Sequence, residues 1–256
     1  MSGLAHLWQS VRGWVYPPAC GVCDVPITTA RQVERPFLCG DCESTLKAIE
    51  DGYCEICGQR DDAPQLRAFQ CANCKNRELA FDFAVSAWRS AGVARELMHR
   101  FKYGQQVHLS RLLGSLISGV WRDERLLLES WVVVPVPLHP KRLRERGFNQ
   151  SREISVEMMR WAPPGIKLEM CELLSRTRHM VRQAQLDRED RFRNPNGAFE
   201  SKSSRLPKRF VDREKKLNLL LVDDVITTGS TVSECASVLR EALEPDRIAA
   251  ISVLRG

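Results

Sequence analysis

The sequence predicts an α/β protein in which a parallel sheet is flanked by helices, with a small cysteine-rich module at the N-terminus. Two observations predict this arrangement. Short apolar runs alternate with amphipathic segments over residues 79–256, which is typical of parallel strands connected by helices. Four Cys-x-x-Cys pairs fall within residues 20–74, so we expect a separate module over residues 1–78.

The first segment of the module has the pattern of an amphipathic helix. Residues 4–16 place leucine, valine and tryptophan side chains at helical spacing, and Pro17 and Pro18 end the pattern. We interpret it as a lid on the module; the alternative is a helix that binds a partner or the inner face of a membrane. No apolar run has the length of about 18 residues that a membrane span needs, and no signal peptide is apparent. We therefore expect a cytoplasmic protein.

The eight paired cysteines have the spacing of metal ligands. Disulfides are rare in the cytosol, whereas two Cys-x-x-Cys pairs can form a tetrahedral, four-thiolate zinc site. Gaps of 15 and 13 residues favour two sequential structural zinc sites, but an interleaved pairing remains open, and an iron–sulfur cluster is the alternative metal. The predicted ligands are Cys20, Cys23, Cys39 and Cys42 for the first site, and Cys54, Cys57, Cys71 and Cys74 for the second.

The larger domain is predicted to alternate strands and helices. A polar stretch over residues 175–196 carries six arginines and is predicted to be a mobile loop, and residues 201–209 are predicted to form a linker-like turn. Alternating apolar and polar residues predict a half-buried strand at 81–88, and apolar runs predict strands at 131–137, 219–222 and 248–254. The amphipathic segments predict helices at 91–103, 109–129, 147–161 and 232–243.

The segment from Asp223 to Thr231 carries the strongest functional signal. It follows a continuously apolar strand, and ligands of open α/β sheets bind beyond the carboxyl ends of such strands. Asp223 and Asp224 can accept hydrogen bonds from vicinal hydroxyls or hold a hydrated cation. The turn and helix start that follow would present N–H and hydroxyl donors to a phosphate. Phosphate, diol and metal together indicate a ribose 5-phosphate, and the turn residues are Thr227, Thr228, Gly229, Ser230 and Thr231.

A second, basic loop is expected at the same edge of the sheet. Residues 135–151 leave one predicted strand and enter a helix. Arginine offers paired donors to pyrophosphate oxygens, so Arg146, with Asn149 and Gln150, is our candidate for that contact. A solvated basic loop is the alternative interpretation.

Positive charge is concentrated in the second half of the chain. Residues 139–213 hold 18 basic and 10 acidic residues. Such a surface suits phosphate ligands or a nucleic-acid backbone, although a solvated basic face is also common. Arg142, Arg144 and Arg178 are the candidates for nucleic-acid contacts.

The combination of motifs resembles the ComF family of competence-associated, phosphoribosyltransferase-like proteins over nearly the whole chain. The motifs are the four Cys-x-x-Cys pairs, Phe-Lys-Tyr-Gly at 101–104, Pro-Val-Pro-Leu-His-Pro-Lys-Arg at 135–142, Arg-Gly-Phe-Asn-Gln at 146–150, Arg-Thr-Arg at 176–178, Asn-Pro-Asn-Gly-Ala-Phe at 194–199 and Asp-Asp-Val-Ile-Thr-Thr-Gly-Ser-Thr at 223–231. The resemblance implies an N-terminal double zinc ribbon followed in the sequence by a type I phosphoribosyltransferase-like domain.

The resemblance also implies a ligand and a biological role. By it, the segment 223–231 is the loop that binds 5-phosphoribosyl 1-pyrophosphate (PRPP) together with Mg²⁺. The implied role is uptake or processing of single-stranded DNA in natural competence, with single-stranded DNA as a partner. One alternative is a non-catalytic adaptor whose pocket holds a nucleotide or a DNA end while its ribbons bind a competence helicase. The other alternative is an active phosphoribosyltransferase that transfers a phosphoribosyl group from PRPP to a base or amine and releases pyrophosphate.

Overall fold

The computed structural model describes most of the two predicted regions. The residues described are 19–27, 36–50, 52–59, 71–75, 77–127, 130–177, 197–210 and 216–256. The predicted helix over residues 4–16 lies outside them, as do Arg178 and most of the predicted loop at 175–196.

The larger domain is built on a five-stranded parallel sheet. Its strands are β1 (Phe83–Arg89), β2 (Ser130–Pro135), β3 (Lys167–Met170), β6 (Asn218–Ile226) and β7 (Arg247–Arg255). The order is β1-β7-β6-β2-β3, and every neighbouring pair is parallel, which confirms the predicted class. Two short strands, β4 (Leu174–Arg176) and β5 (Phe199–Ser201), form a separate antiparallel pair.

Helices cover both faces of this sheet. On β6, Leu220 and Val222 pack into one buried cluster, and Leu219 and Leu221 pack into the other. Fully burying each such side chain contributes roughly 1.5–3 kcal/mol. The helices described are α1 (Gly40–Ser44), α2 (Gly92–Tyr103), α3 (Ser110–Ile117), α4 (Pro140–Arg146), α5 (Gln150–Met158) and α6 (Ser230–Leu243). Helices α2, α3 and α5 contribute to the first cluster, and α6 contributes to the second.

The prediction of one helix over residues 109–129 is wrong. The α-helix α3 ends at Ile117, and two 3-10 turns follow it, at Ser118–Arg122 and Glu124–Leu126. Asp123 has an extended backbone, and its carboxylate accepts a hydrogen bond from the Arg125 amide at 3.1 Å. A short polar side chain that bonds nearby backbone competes with helix continuation in this way.

The connection between β2 and the next long helix also differs from the prediction. It contains the short helix α4, which has Pro140 at its start and His139 as its cap, with Nδ1 accepting from the Lys141 amide at 3.2 Å. Gly147 ends α4 in a left-handed conformation (φ 80°) that favours glycine. The following helix therefore begins at Gln150 rather than at 147 and ends at Met158, before a 3-10 turn at Met159–Trp161.

Strand β6 is longer than the predicted 219–222. It continues to Ile226 because its pairing with β7 extends to Ile226 opposite Arg255. Its pairing with β2 ends earlier, at Val222 opposite Pro135. Asp223 and Asp224 therefore lie inside a strand, at the point where its neighbour β2 has already ended.

The cysteine module adds backbone hydrogen bonds to the outer edge of β1. The Ala84 amide donates to the Ile56 carbonyl at 2.8 Å, and the Arg89 amide donates to the Lys47 carbonyl at 2.9 Å. The Ile49 amide donates to the Ala87 carbonyl at 3.1 Å. Segments beside both cysteine clusters thus extend the sheet by pairing with its edge strand.

Candidate functional site

The eight paired cysteines form two clusters of four. The first contains Cys20, Cys23, Cys39 and Cys42, the second contains Cys54, Cys57, Cys71 and Cys74, and within each cluster the sulfurs lie within 4.8 Å of one another. The sequential pairing is confirmed, and the interleaved one is excluded. Tetrahedral zinc with bonds of about 2.3 Å would separate its sulfurs by about 3.8 Å. The Cys54–Cys74 and Cys57–Cys71 sulfur pairs lie 3.8 and 3.7 Å apart.

The charge balance of the thiols fits a divalent cation. Burial opposes ionisation of Cys57, yet hydrogen bonds from Asn73 and the Gln59 backbone and the charge of Arg255 lower the pKa of its thiol to about 7. Burial and the neighbouring Cys57 then raise the pKa of Cys74. Once one thiol of the cluster is ionised, ionising a neighbouring thiol costs more free energy because the two negative charges repel. A bound cation offsets this repulsion. Two structural zinc ions fit these two clusters.

The paired carboxylates meet helices α2 and α5. Asp224 is 8% exposed and forms a salt bridge with Lys102, whose Nζ lies 2.8 Å from Asp224 Oδ1. Asp223 Oδ1 accepts a hydrogen bond from Ser151 Oγ at 3.1 Å. The end of α2, the start of α5 and the end of β6 therefore converge at one edge of the sheet.

The environment of Asp223 disfavours its ionised form. Burial raises the pKa of this carboxyl, and the adjacent Asp224 adds to the rise. Hydrogen bonds from the Asp224 amide and Ser151 and the charge of Lys102 oppose these effects without cancelling them, so the pKa is raised to about 7. A carboxyl that titrates near neutral pH can release its proton when a cation or a ligand hydroxyl binds to it.

The hydroxyl-rich turn connects β6 to α6 and faces outward. Thr227, Thr228 and Ser230 are exposed, and the hydroxyls of Thr228 and Ser230 lie 2.7 Å apart. Gly229 adopts a left-handed conformation (φ 80°), and α6 begins at the next residue. The N-terminus of a 14-residue helix, with its positive end, thus lies beside exposed hydroxyls at the site. A hollow of about 30 Å³ is lined by residues of this turn and by Asp223.

The three residues predicted to contact pyrophosphate occupy different environments. Asn149 caps α5, with Oδ1 accepting from the Ser151 amide at 3.2 Å, and its Nδ2 donates to the Val136 carbonyl at 3.1 Å. Gln150 is fully buried and accepts from Arg146 Nη1 at 2.9 Å. Arg146 is partly exposed and lies over the Tyr103 ring, 5.0 Å from its centroid. Contact of all three with pyrophosphate stays a prediction, and only Arg146 presents a charge toward solvent among them.

A basic depression adjoins the carboxylate pair. It has a volume of about 290 Å³, and its residues include Lys102, Tyr103, Arg142 and Arg146. Lys102 connects it to Asp224, and Tyr103 is 63% exposed. Helix α4, which forms one side, buries none of its residues and carries Lys141, Arg142, Arg144 and Arg146 against one acidic residue, Glu145.

Four side chains at the site were not predicted from the sequence. Lys102 belongs to the Phe-Lys-Tyr-Gly motif, which indicated the family but predicted no contact for this lysine. Ser151 follows Gln150 directly and could have been included with it. Arg77, which follows the second cysteine cluster in the sequence, and Arg255, in the last strand, contact the turn, and no local pattern marks either of them.

The fold and the two four-cysteine clusters define a class of protein, a double zinc ribbon joined to a parallel α/β domain. Residues 11–75 match the family model described as a double zinc ribbon domain. The chain is 32% identical to competence protein F of Haemophilus influenzae, over 82% of this chain and 86% of that protein. It is 30% identical to DNA utilization protein YhgH of Escherichia coli K12, over 80% and 91% respectively. Competence protein ComFC of Bacillus subtilis matches at 24% identity over 95% and 97%. The chain belongs to the ComF family.

Helix length bears on the question of membrane insertion. Across the described ranges, every helix is too short or too polar to cross a bilayer. The placement of the protein in the cytoplasm and at the inner face of a membrane stays a prediction.

Proposed function

We propose that this protein binds PRPP, or another ligand that contains ribose 5-phosphate, and acts in the uptake or processing of single-stranded DNA during natural competence. One observation carries the ligand assignment: a carboxylate pair lies directly beside an exposed, hydroxyl-rich turn at the start of α6. The competence and DNA-utilization names of its relatives support the biological role.

Each part of the site has a role in this proposal. The turn residues 227–231 and the start of α6 bind the 5-phosphate through N–H and hydroxyl donors. Asp223 and Asp224 accept hydrogen bonds from the two ribose hydroxyls. Lys102 contacts Asp224 and also lines the basic depression, which supports a role for it and Arg146 in binding the pyrophosphate of PRPP.

Magnesium fits the same donors. Asp223 and Asp224 offer the hard oxygen ligands that Mg²⁺ prefers, and the ion commonly binds through one or two carboxylates together with substrate phosphates. When bound, it supplies positive charge that offsets the charges of pyrophosphate and carboxylates. The Mg²⁺ dependence of PRPP binding is part of the proposal.

Calorimetry with three ligands tests the site. PRPP should bind with Mg²⁺ and more weakly without it. Ribose 5-phosphate should bind more weakly than PRPP, because it lacks the pyrophosphate, and free ribose should not bind measurably. Equal binding of ribose and ribose 5-phosphate, or no binding of PRPP with Mg²⁺, would refute the proposal.

A catalytic role at the same site is the second candidate. The basic depression beside Asp224 favours it, because Lys102 and Arg146 there would stabilise a leaving pyrophosphate. In such a reaction the acceptor's lone pair forms a bond to C1 of PRPP, pyrophosphate leaves with the electrons of the C1–O bond, and the acceptor's proton passes to solvent. Release of pyrophosphate from PRPP, measured with a panel of bases and amines, distinguishes this role from binding alone.

Binding of single-stranded DNA is expected to involve Arg142 and Arg144, on the exposed helix α4, together with Arg178. Replacing Arg142, Arg144 and Arg178 together with glutamine should flatten the dependence of log affinity on log salt by about two units. The reason is that each phosphate contact on a single strand contributes roughly 0.7 to that slope. The loss should be similar for different DNA sequences, because phosphate contacts carry no sequence information. Fluorescence anisotropy over a salt series measures both quantities.

Three exposed arginines on other elements provide the control. Replacing Arg95, Arg111 and Arg247 with glutamine changes the net charge equally but should leave the salt slope close to that of the wild type. Equal slopes for the two triple variants would show that binding follows net charge alone and would refute the assignment to Arg142, Arg144 and Arg178.

A further inference from the structure

The second cysteine cluster contacts the hydroxyl-rich turn through an arginine inside the protein. Arg255, at the end of β7, is 4% exposed. Its Nη2 lies 3.8 Å from Cys57 Sγ, and its Nη1 donates to the Ile226 carbonyl at 2.8 Å and also to the Thr227 carbonyl. One guanidinium therefore connects a sulfur of the cluster to the backbone on which the turn begins.

A second connection runs along the surface. Arg77, three residues after Cys74, donates through Nη1 to the Thr228 carbonyl at 2.8 Å and through Nη2 to Ser230 Oγ at 3.2 Å. Asn73, which lies between two ligands of the cluster, donates to the same Thr228 carbonyl at 3.3 Å. The turn thus receives hydrogen bonds from residues that neighbour the second cluster's cysteines in the sequence.

The Arg77 guanidinium also adds a charge to the turn. It is exposed, and it bonds the hydroxyl of Ser230, which is itself exposed at the start of α6. Lys102, another cation described at the site, forms its salt bridge with Asp224 instead. Arg77 is therefore the guanidinium that the described structure places directly on the exposed hydroxyls, and it comes from the zinc-ribbon module rather than from the larger domain.

The first cluster is placed differently. Cys20, Cys39 and Cys42 pack into the buried cluster beside α2 and α3, on one face of the sheet. Its neighbour Asp24 forms a salt bridge with Arg100 of α2 at 3.3 Å. The hydrogen bonds described between the module and the turn come from the second cluster's side alone. The two clusters thus differ in what they position.

We propose that the second zinc ribbon is a component of the phosphate site: its metal fixes Arg255 and Arg77 against the turn, and Arg77 donates to the ligand's phosphate. This rests on the proposed function for the identity of the ligand. The chemical class recognised is a phosphate monoester on a sugar. Arg255 is a positioning residue, and Arg77 is a binding residue contributed across the two domains.

Substitution of Arg77 tests the binding role. Arg77→Gln should keep both zinc ions and weaken binding of ribose 5-phosphate about tenfold, because one charge-assisted hydrogen bond is lost at an exposed site. Arg77→Lys, which keeps the charge, should recover part of the loss. Arg100→Gln is the matched control, since Arg100 also connects the module to the larger domain but does so at Asp24, and it should change affinity less than twofold.

Hydrogen exchange tests the positioning role without any ligand. Cys74→Ser should lose one zinc ion and speed amide exchange in residues 226–231, whereas residues 219–222 of the same strand stay protected. Cys23→Ser should lose the other zinc ion and leave exchange in residues 226–231 as in the wild type. Arg255→Gln should speed exchange in residues 226–231 while keeping both metals.

The outcomes separate this inference from the proposed function. Unchanged exchange in Cys74→Ser and unchanged affinity in Arg77→Gln would overturn the inference and leave PRPP binding intact. If the wild type binds no sugar phosphate, the proposed function and the role of Arg77 both fall. The exchange measurements still decide whether the second zinc holds the turn.

Discussion

Cys54→Ser should release one of two zinc ions and unfold the second ribbon while the larger domain stays folded. Structural zinc contributes roughly 10–16 kcal/mol of apparent binding energy in small zinc-finger peptides, which exceeds what a short segment gains from its own packing. The larger domain has its own buried clusters on both faces of the sheet, so we expect it to survive. Metal analysis and limited proteolysis measure the two effects.

Two other buried cysteines provide the control for this change. Cys171 and Cys235 are buried and lie outside both clusters. Serine at either position should keep both zinc ions, so a loss of metal specific to Cys54→Ser follows from ligation rather than from burial. Fewer than two zinc equivalents in the wild type, or a brown chromophore typical of iron–sulfur clusters, would contradict the assignment.

The second large effect is expected at the paired carboxylates. Asp223→Asn and Asp224→Asn keep the side-chain size and remove the charge. Each should weaken binding of PRPP by about 10- to 150-fold, which corresponds to about 1.5–3 kcal/mol for lost hydrogen bonds to a charged group. If calorimetry shows that the double variant binds PRPP with the affinity of the wild type, the central claim of the proposed function is refuted.

Although Asp223→Asn should weaken PRPP binding, it should stabilise the fold above neutral pH. The folded-state pKa of Asp223 is raised to about 7, above an unfolded value near 4. The folded protein therefore holds this proton more tightly, and its stability falls as pH rises from about 4 through about 7. Asp223→Asn removes that loss, so its melting temperature without ligand should exceed that of the wild type at pH 8 and match it at pH 4.

Asp123 gives the matched control because its pKa is shifted the other way. Burial opposes ionisation, but hydrogen bonds from Arg125 outweigh it and lower the pKa of this carboxyl. Its stabilising contribution is present at neutral pH and is lost as pH falls through the lowered pKa. Asp123→Asn should therefore melt below the wild type at pH 8, with a difference that shrinks in acid. Equal shifts for Asp123→Asn and Asp223→Asn would contradict the assigned environments.

The sequence predicted most strands of the main sheet, because a parallel strand that is buried on both faces is continuously apolar. Strands β6 and β7 appear where their apolar runs were found, and β1 appears where alternation predicted a strand; each differs from the prediction by a few residues at its ends. Strand β1 is mostly buried, rather than half-buried as predicted. Strand β3 was missed, because its sequence Lys-Leu-Glu-Met is short and only partly buried at the sheet edge. The end of α3 at Ile117 was not predicted, because the hydrogen bond of the Asp123 carboxylate to nearby backbone does not change the spacing of apolar residues.

The site was predictable only where its residues are adjacent in the sequence. Asp223 to Thr231 form one continuous motif, and the cysteine pairs have a recognisable spacing. The salt bridge of Lys102 with Asp224 joins residues of α2 and β6, and the contact of Arg77 with Ser230 joins the two domains. Long-range pairs of this kind follow from how the elements pack, which a single sequence does not specify.

The pairing of the zinc-ribbon module with β1 has a consequence for solubility. An open sheet edge exposes unpaired N–H and C=O groups, which can pair with another chain and begin aggregation. Here backbone at Lys47, Ile49 and Ile56 satisfies groups along β1, a strand whose residues are mostly buried and apolar. The zinc-ribbon module therefore covers an edge that would otherwise be open to pairing with a second chain, and loss of the module's fold would expose that edge.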